Sequence, residues 1–198
     1  MLRGGRARML ALGLCVLACP SCENPAKGPS DYPLYSAVLD LYVEETSAER
    51  VLIRHVAAVD DFADQVYAAA DLRYYVEAYP NLAGVLPDLF RLGRVRMAER
   101  PTLADSFQVT VSHALLPDST FAELRSMPFM RAVELADSTF GPAARIACLT
   151  PPARVGDQAV VFLASTCFER NALVGALYFL ERDAEGWRVI DRSPWSEN

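Results

Sequence analysis

Four short β-prone runs crowd the last third of the chain, and they constrain the fold more than any other feature. They are Ala144–Leu149, Gln158–Thr166, Leu173–Glu181 and Trp187–Asp191, rich in branched and aromatic residues. The Arg182–Gly186 turn (RDAEG) joins the last two as a hairpin. The earlier part carries helical periodicity instead. Tyr35, Val38, Leu39 and Tyr42 share one face of a helix over Tyr32–Glu45. A second helix is expected from Asp60 or Asp61 to Tyr79, stopped by Pro80, with Phe62, Val66, Ala69, Leu72 and Val76 as its buried stripe. Residues 80–100, interrupted by Pro80, Gly84, Pro87 and Gly93, read as short helical turns.

Two further strands complete the pattern. Val51–Ala58 is short, branched and apolar, and Phe107–Leu115 alternates apolar with polar residues. Thr120 and Glu123 fit a capping box for a short helix, and Ser126 with Pro128 starts another through Ala136. Helices early and a strand meander late predict an α+β fold, with N-terminal helices packed on an antiparallel sheet. The domain reading is a signal peptide over 1–18, a proline-rich tether over 19–33 and one α+β domain over 34–198. About 165 residues are enough to bury near 70% of the unfolded surface, so a metal or disulfide staple is not required.

The first residues read as an address. Arg3, Arg6 and Arg8 precede any acidic residue, and Met9–Ala18 is an apolar run about half the roughly 20 residues a membrane-spanning helix needs. Val16-Leu17-Ala18-Cys19 resembles the lipobox of bacterial lipoproteins. That resemblance implies thioether-linked diacylglycerol on Cys19, cleavage before it, and attachment by palmitate-like chains. Each buried methylene contributes about 0.8 kcal/mol to anchoring. The alternatives are a plain signal peptide cut after Ala18 and an uncleaved anchor. Residues 19–33 hold prolines at 20, 25, 29 and 33, which suits an extended tether.

The charge follows from this division. The whole chain carries a net charge of −6. Taking three arginines with the leader leaves 16 basic and 25 acidic residues, a net charge of −9. Nucleic acid is therefore not an expected partner, and membrane contact falls to the lipid rather than to a basic patch.

The whole mature chain resembles a family of uncharacterised bacterial proteins, many of them exported. The shared features are Tyr35-Ser-Ala-Val-Leu39, Val51-Leu-Ile-Arg54, and the ending Leu177–Trp195 with Gly186-Trp187 and the closing Trp195. The resemblance implies a fold and an exported, envelope location. It supplies no reaction and no cofactor.

Candidate chemistry is sparse. His55 and His113 are the only histidines. With Asp60, Asp61 and Asp64 they could form a two-histidine carboxylate metal site if their strands met, but isolated sheet histidines with local hydrogen bonds are the plainer expectation. Ser112 and His113 face opposite sides of a strand and cannot pair. A Cys167–His113 dyad is the remaining nucleophilic arrangement. Asp60, Asp61, Asp64 and Asp71 read as helix N-terminal compensation. Arg91, Arg94, Arg96 and Arg100 read as a solvated helix face or as partners of that acidic helix; the other reading is an anion or docking patch. Tyr67, Tyr74, Tyr75 and Tyr79 divide between core and a Tyr74/Tyr75 surface patch. Pro151-Pro152 favours a loop spanning Thr150 to Asp157, leaving Cys148 and Cys167 apart as buried thiols. A tight turn at Gly156-Asp157 would instead set them diagonally across a hairpin. No residue is assigned as catalytic, metal-binding or cofactor-binding. The leading expectation is a non-catalytic binding module at the envelope with a protein partner; the alternatives are an exported enzyme with a dispersed site around His113 and Cys167, or a small-molecule carrier.

Overall fold

Alternation along the central strands sends side chains to two opposite apolar faces, and both are covered by helices. A computed structural model describes residues 30–58, 63–142, 144–165 and 173–197; Asp31–Asn198 group as one unit. The elements are α1 (Tyr32–Thr46), β1 (Arg50–Arg54), α2 (Ala63–Val66), α3 (Ala69–Ala78), α4 (Leu86–Met97), β2 (Ser112–Leu116), α5 (Asp118–Ser126), α6 (Phe129–Phe140), β3 (Ala144–Leu149), β4 (Ala153–Val155), β5 (Gln158–Ala164), β6 (Leu173–Arg182) and β7 (Trp187–Glu197). The strands form one sheet in the order β2-β1-β3-β5-β6-β7, with β4 also on β5.

The fold is α+β with a C-terminal strand meander. The meander is antiparallel, whereas β1 pairs in parallel with both β2 and β3. Those parallel pairings follow from the helical crossovers: α2–α4 separate β1 from β2, and α5–α6 separate β2 from β3. On one face Val51, Ile53, Ala147, Val161, Leu163 and Tyr178 pack against α1. On the other, Leu52, Ile146, Val160, Phe162, Leu177 and Phe179 meet the remaining helices. Cover on both faces explains why β5 and β6 read as unbroken apolar runs.

Several elements depart from the periodic reading. The second helix breaks at Ala68, which is extended (ψ 140°). The break turns Tyr67 fully into the core, with Val66, instead of leaving one continuous stripe. Residues 86–97 form a full helix, not short turns. Pro87 sits in its first turn, where a missing N–H costs nothing. Gly93 is tolerated inside it because the Tyr67 ring lies against it: a Cβ there would fall 2.8 Å from ring carbons. α1 begins at Tyr32, with Pro33 in its first turn, so residues 32 and 33 are helix rather than tether.

The Phe107–Leu115 strand is replaced by an extended strap followed by the shorter β2. Three of its backbone donors are taken by a stripe of α1 side chains rather than by a neighbouring strand. Tyr32 Oη, Ser36 Oγ and Asp40 Oδ1 accept from the N–H groups of Ala104, Gln108 and Thr110. β1 likewise stops at Arg54, and the chain beyond pairs with the strap: Leu103 N–H donates to His55 O at 2.8 Å, and Val56 bridges Thr102. α5 starts directly after Pro117 without a side-chain cap, so Thr120 lies within the helix and caps nothing.

The cysteine hairpin takes the tight register. Val155 pairs with Gln158 around Gly156-Asp157, and Gly156 supplies the positive φ (+60°) of the first turn position. Pro151-Pro152 adds one residue to the near arm rather than opening a loop. Leu149 faces Leu163 before it and Ala153 faces Val160 after it. Thr150 spans the gap, its N–H donating to Phe162 O and its Oγ1 accepting from Phe162 N–H. The expectation of a long loop and an unpaired Cys148 thiol is thus overturned: Cys148 is fully buried and disulfide-bonded.

Candidate functional site

The two histidines are held apart by strand register. β1 and β2 do pair, but His113 stands opposite Val51, and His55 lies four residues further along, about 13 Å at strand rise. His113 Nε2–H donates to Asp105 Oδ1 at 2.9 Å, and its ring meets Phe107 edge-on at 6.0 Å. Among the described residues no group of three His, Cys, Asp or Glu side chains is placed to hold a metal ion. Cys19, Cys167, Asp60, Asp61 and the side chains of Asp64 and Asp71 lie outside the described residues.

The arginine cluster disperses. Arg91 pairs with Asp88 in its own helix, and Arg94 and Arg100 are exposed. Arg96 alone turns inward. Its Nε donates to Glu99, its Nη1 to Pro152 O at 3.1 Å, and its Nη2 to Asp31 at 3.2 Å. Arg154 of β4 grips the other oxygen of Asp31. One carboxylate at the start of α1 thereby joins α4 and β4, which the sequence reading had not singled out. Beside it the hydroxyl of Tyr35, 1% exposed, has no hydrogen-bond partner among the described residues. Burial, reinforced by the Asp31 charge, pushes this phenol well above its ordinary range.

The tyrosines are mostly structural. Tyr67 is fully buried, its hydroxyl 3.1 Å from Thr150 Oγ1; burial pushes its pKa up to about 12. Tyr75 belongs to the core, and Tyr79 packs on Phe179 at 4.7 Å. The expected Tyr74/Tyr75 surface patch reduces to Tyr74, 63% exposed. The other exposed apolar residues are scattered. Met130 and Leu135 on α6, for example, project about 140° apart around the helix.

Arg54 is a second ion pair absent from the sequence reading. Only 3% exposed, it donates through Nε to Asp118 Oδ1 at 2.9 Å and through Nη1 to Ala58 O, and its guanidinium covers the Phe121 ring at 4.1 Å. It ties the end of β1 to the start of α5, as the hydrogen bonding of a buried charge demands.

A surface groove of about 490 Å³ lies between α1, Thr110 and the start of β7. Ala37, Leu41, Val43 and Val189 are its apolar lining; Asp40, Glu44, Trp187 and Arg188 supply its charged and aromatic groups. It required tertiary structure to see, because its residues come from three separate segments. Among the described residues no helix is long and apolar enough to cross a membrane. Comparison with protein-family models, with curated proteins and with solved structures finds no match.

Proposed function

We propose that this chain is an exported bacterial envelope lipoprotein, anchored through acylated Cys19, whose α+β body is a non-catalytic binding module. The observation that carries the reading is the buried disulfide at Cys148. Disulfides persist in oxidising compartments outside the cytosol, which agrees with the export address in residues 1–18. Body chemistry supports binding over catalysis. His113 is committed to Asp105, His55 stands away from it, and the inward-facing charges Arg54, Arg96 and Arg154 are occupied in joining elements. The acidic mature chain leaves lipid, not charge, as the means of membrane attachment. Replacing Cys19 by serine is the test: the wild type is expected in the membrane fraction and the variant in the soluble or uncleaved pool. A Cys19→Ser protein that stays on membranes after leader removal overturns the proposal.

A further inference from the structure

We propose that the groove between α1 and the start of β7 is a docking site for a lysine- or arginine-bearing peptide segment of an envelope partner. This rests on reading the body as a binding module and names the chemistry of what it binds.

Shape and charge both point this way. The groove is open to solvent along one side and about 490 Å³ in volume, so a segment would lie across it rather than be enclosed. Arg188, the one cation lining the groove among the described residues, is already neutralised by Glu181 at 3.1 Å and Asp183 at 3.0 Å. Asp40 spends one oxygen on Thr110. Glu44 is exposed and makes no ion pair or hydrogen bond among the described residues. The groove therefore offers uncompensated negative charge, on a body that is itself acidic, and repels acidic peptides and anionic lipid alike.

The aromatic component selects the cation's carrier. Trp187 lines the groove and already takes the Arg154 guanidinium at 5.9 Å from its ring centroid. An indole beside carboxylates suits a cationic head whose aliphatic stem covers apolar surface. Ala37 and Leu41 supply that surface, and Glu44 lies one helical turn beyond Leu41 and two beyond Ala37. A free small cation would meet the charge and leave the apolar lining wet.

The test uses the full-length protein in a non-ionic detergent, titrated with the blocked peptide acetyl-Arg-Gly-Arg-amide at low salt. Amide resonances of Ala37, Leu41 and Val189 and the Trp187 indole N–H are expected to shift and saturate together. Glu44→Gln is expected to weaken binding about three- to fivefold. Glu134→Gln, the same charge change on α6, is expected to change it less than about 1.5-fold. Equal effects of the two substitutions, shifts spread over the whole surface, or equal binding of acetyl-Glu-Gly-Glu-amide or free arginine would overturn the proposal. Acylated Cys19 with no peptide binding removes this site alone; peptide binding without acylation removes only the anchor.

Discussion

Substituting Asp31 by asparagine keeps the shape of the side chain and removes the charge that holds Arg96 and Arg154. The three side chains are 23%, 29% and 16% exposed, so solvent recovers only part of what is lost. Breaking a fully buried ion pair costs about 3–5 kcal/mol. Partial exposure lowers this to about 2–3 kcal/mol here, with two guanidiniums left facing each other. For a domain of this size that is roughly 5–10 °C in Tm. Asp88→Asn is the matched control, because Asp88 and Arg91 are each 60% exposed and the pair contributes about 0–0.5 kcal/mol. Urea unfolding followed by far-UV circular dichroism reads both variants in 0.1 M and 1 M salt. The Asp31 loss is expected to persist at high salt, since partly buried pairs are weakly screened. If Asp31→Asn behaves like Asp88→Asn, within about 0.5 kcal/mol, the idea that this carboxylate joins α1 to α4 and β4 is refuted.

Three other outcomes follow from the packing. Gly93→Ala gains helix propensity but drives a Cβ to 2.8 Å from the Tyr67 ring, so unfolding experiments should show a net loss of about 1–2 kcal/mol; a neutral or stabilised protein contradicts that contact. Burial holds Tyr42 and Tyr67 at about 12, against 10.0 for an ordinary phenol. Their stabilisation is complete below pH 10 and disappears as pH rises to 12, each tyrosine costing about 1.4 kcal/mol per pH unit in that window. Absorbance at 295 nm should then show a late group of tyrosines ionising together with unfolding, and ionisation of every tyrosine before unfolding begins would contradict their burial. Finally, iodoacetamide added to denatured, unreduced protein should leave Cys148 unmodified, and modification without reductant would contradict its disulfide.

The parts of the fold that were legible are those where one residue type decides. Tyr35, Val38, Leu39 and Tyr42 lie on the buried stripe of α1, and the β6–β7 hairpin turns at Asp183–Gly186, where the Asp183 carboxylate accepts from Glu185 and Gly186 N–H groups. What misled was local punctuation that tertiary contacts override. Gly93 and Pro87 look like breaks but sit in α4, one beneath an aromatic ring and the other in the first turn. The strap over 103–111 alternates like a strand, yet its Ala104, Gln108 and Thr110 N–H groups go to α1 side chains. Pro194 lies inside β7, opposite Ala176, which an edge strand permits. The Asp31 clamp joins positions 65 and 123 residues apart. The Arg54–Asp118 pair spans 64. No window on the sequence links such residues, and the groove has the same origin.

The most direct measurement is the mass of the N-terminal tryptic peptide of the protein recovered from membranes. Lys27 is the only lysine and no arginine lies between it and Cys19, so cleavage before Cys19 yields the nine-residue peptide CPSCENPAK. The account predicts this peptide with a diacylglyceryl thioether on Cys19, and with an added acyl chain where the amine is modified. An unmodified peptide, or one that shows the chain still continuous through Ala18 and Cys19, would contradict it.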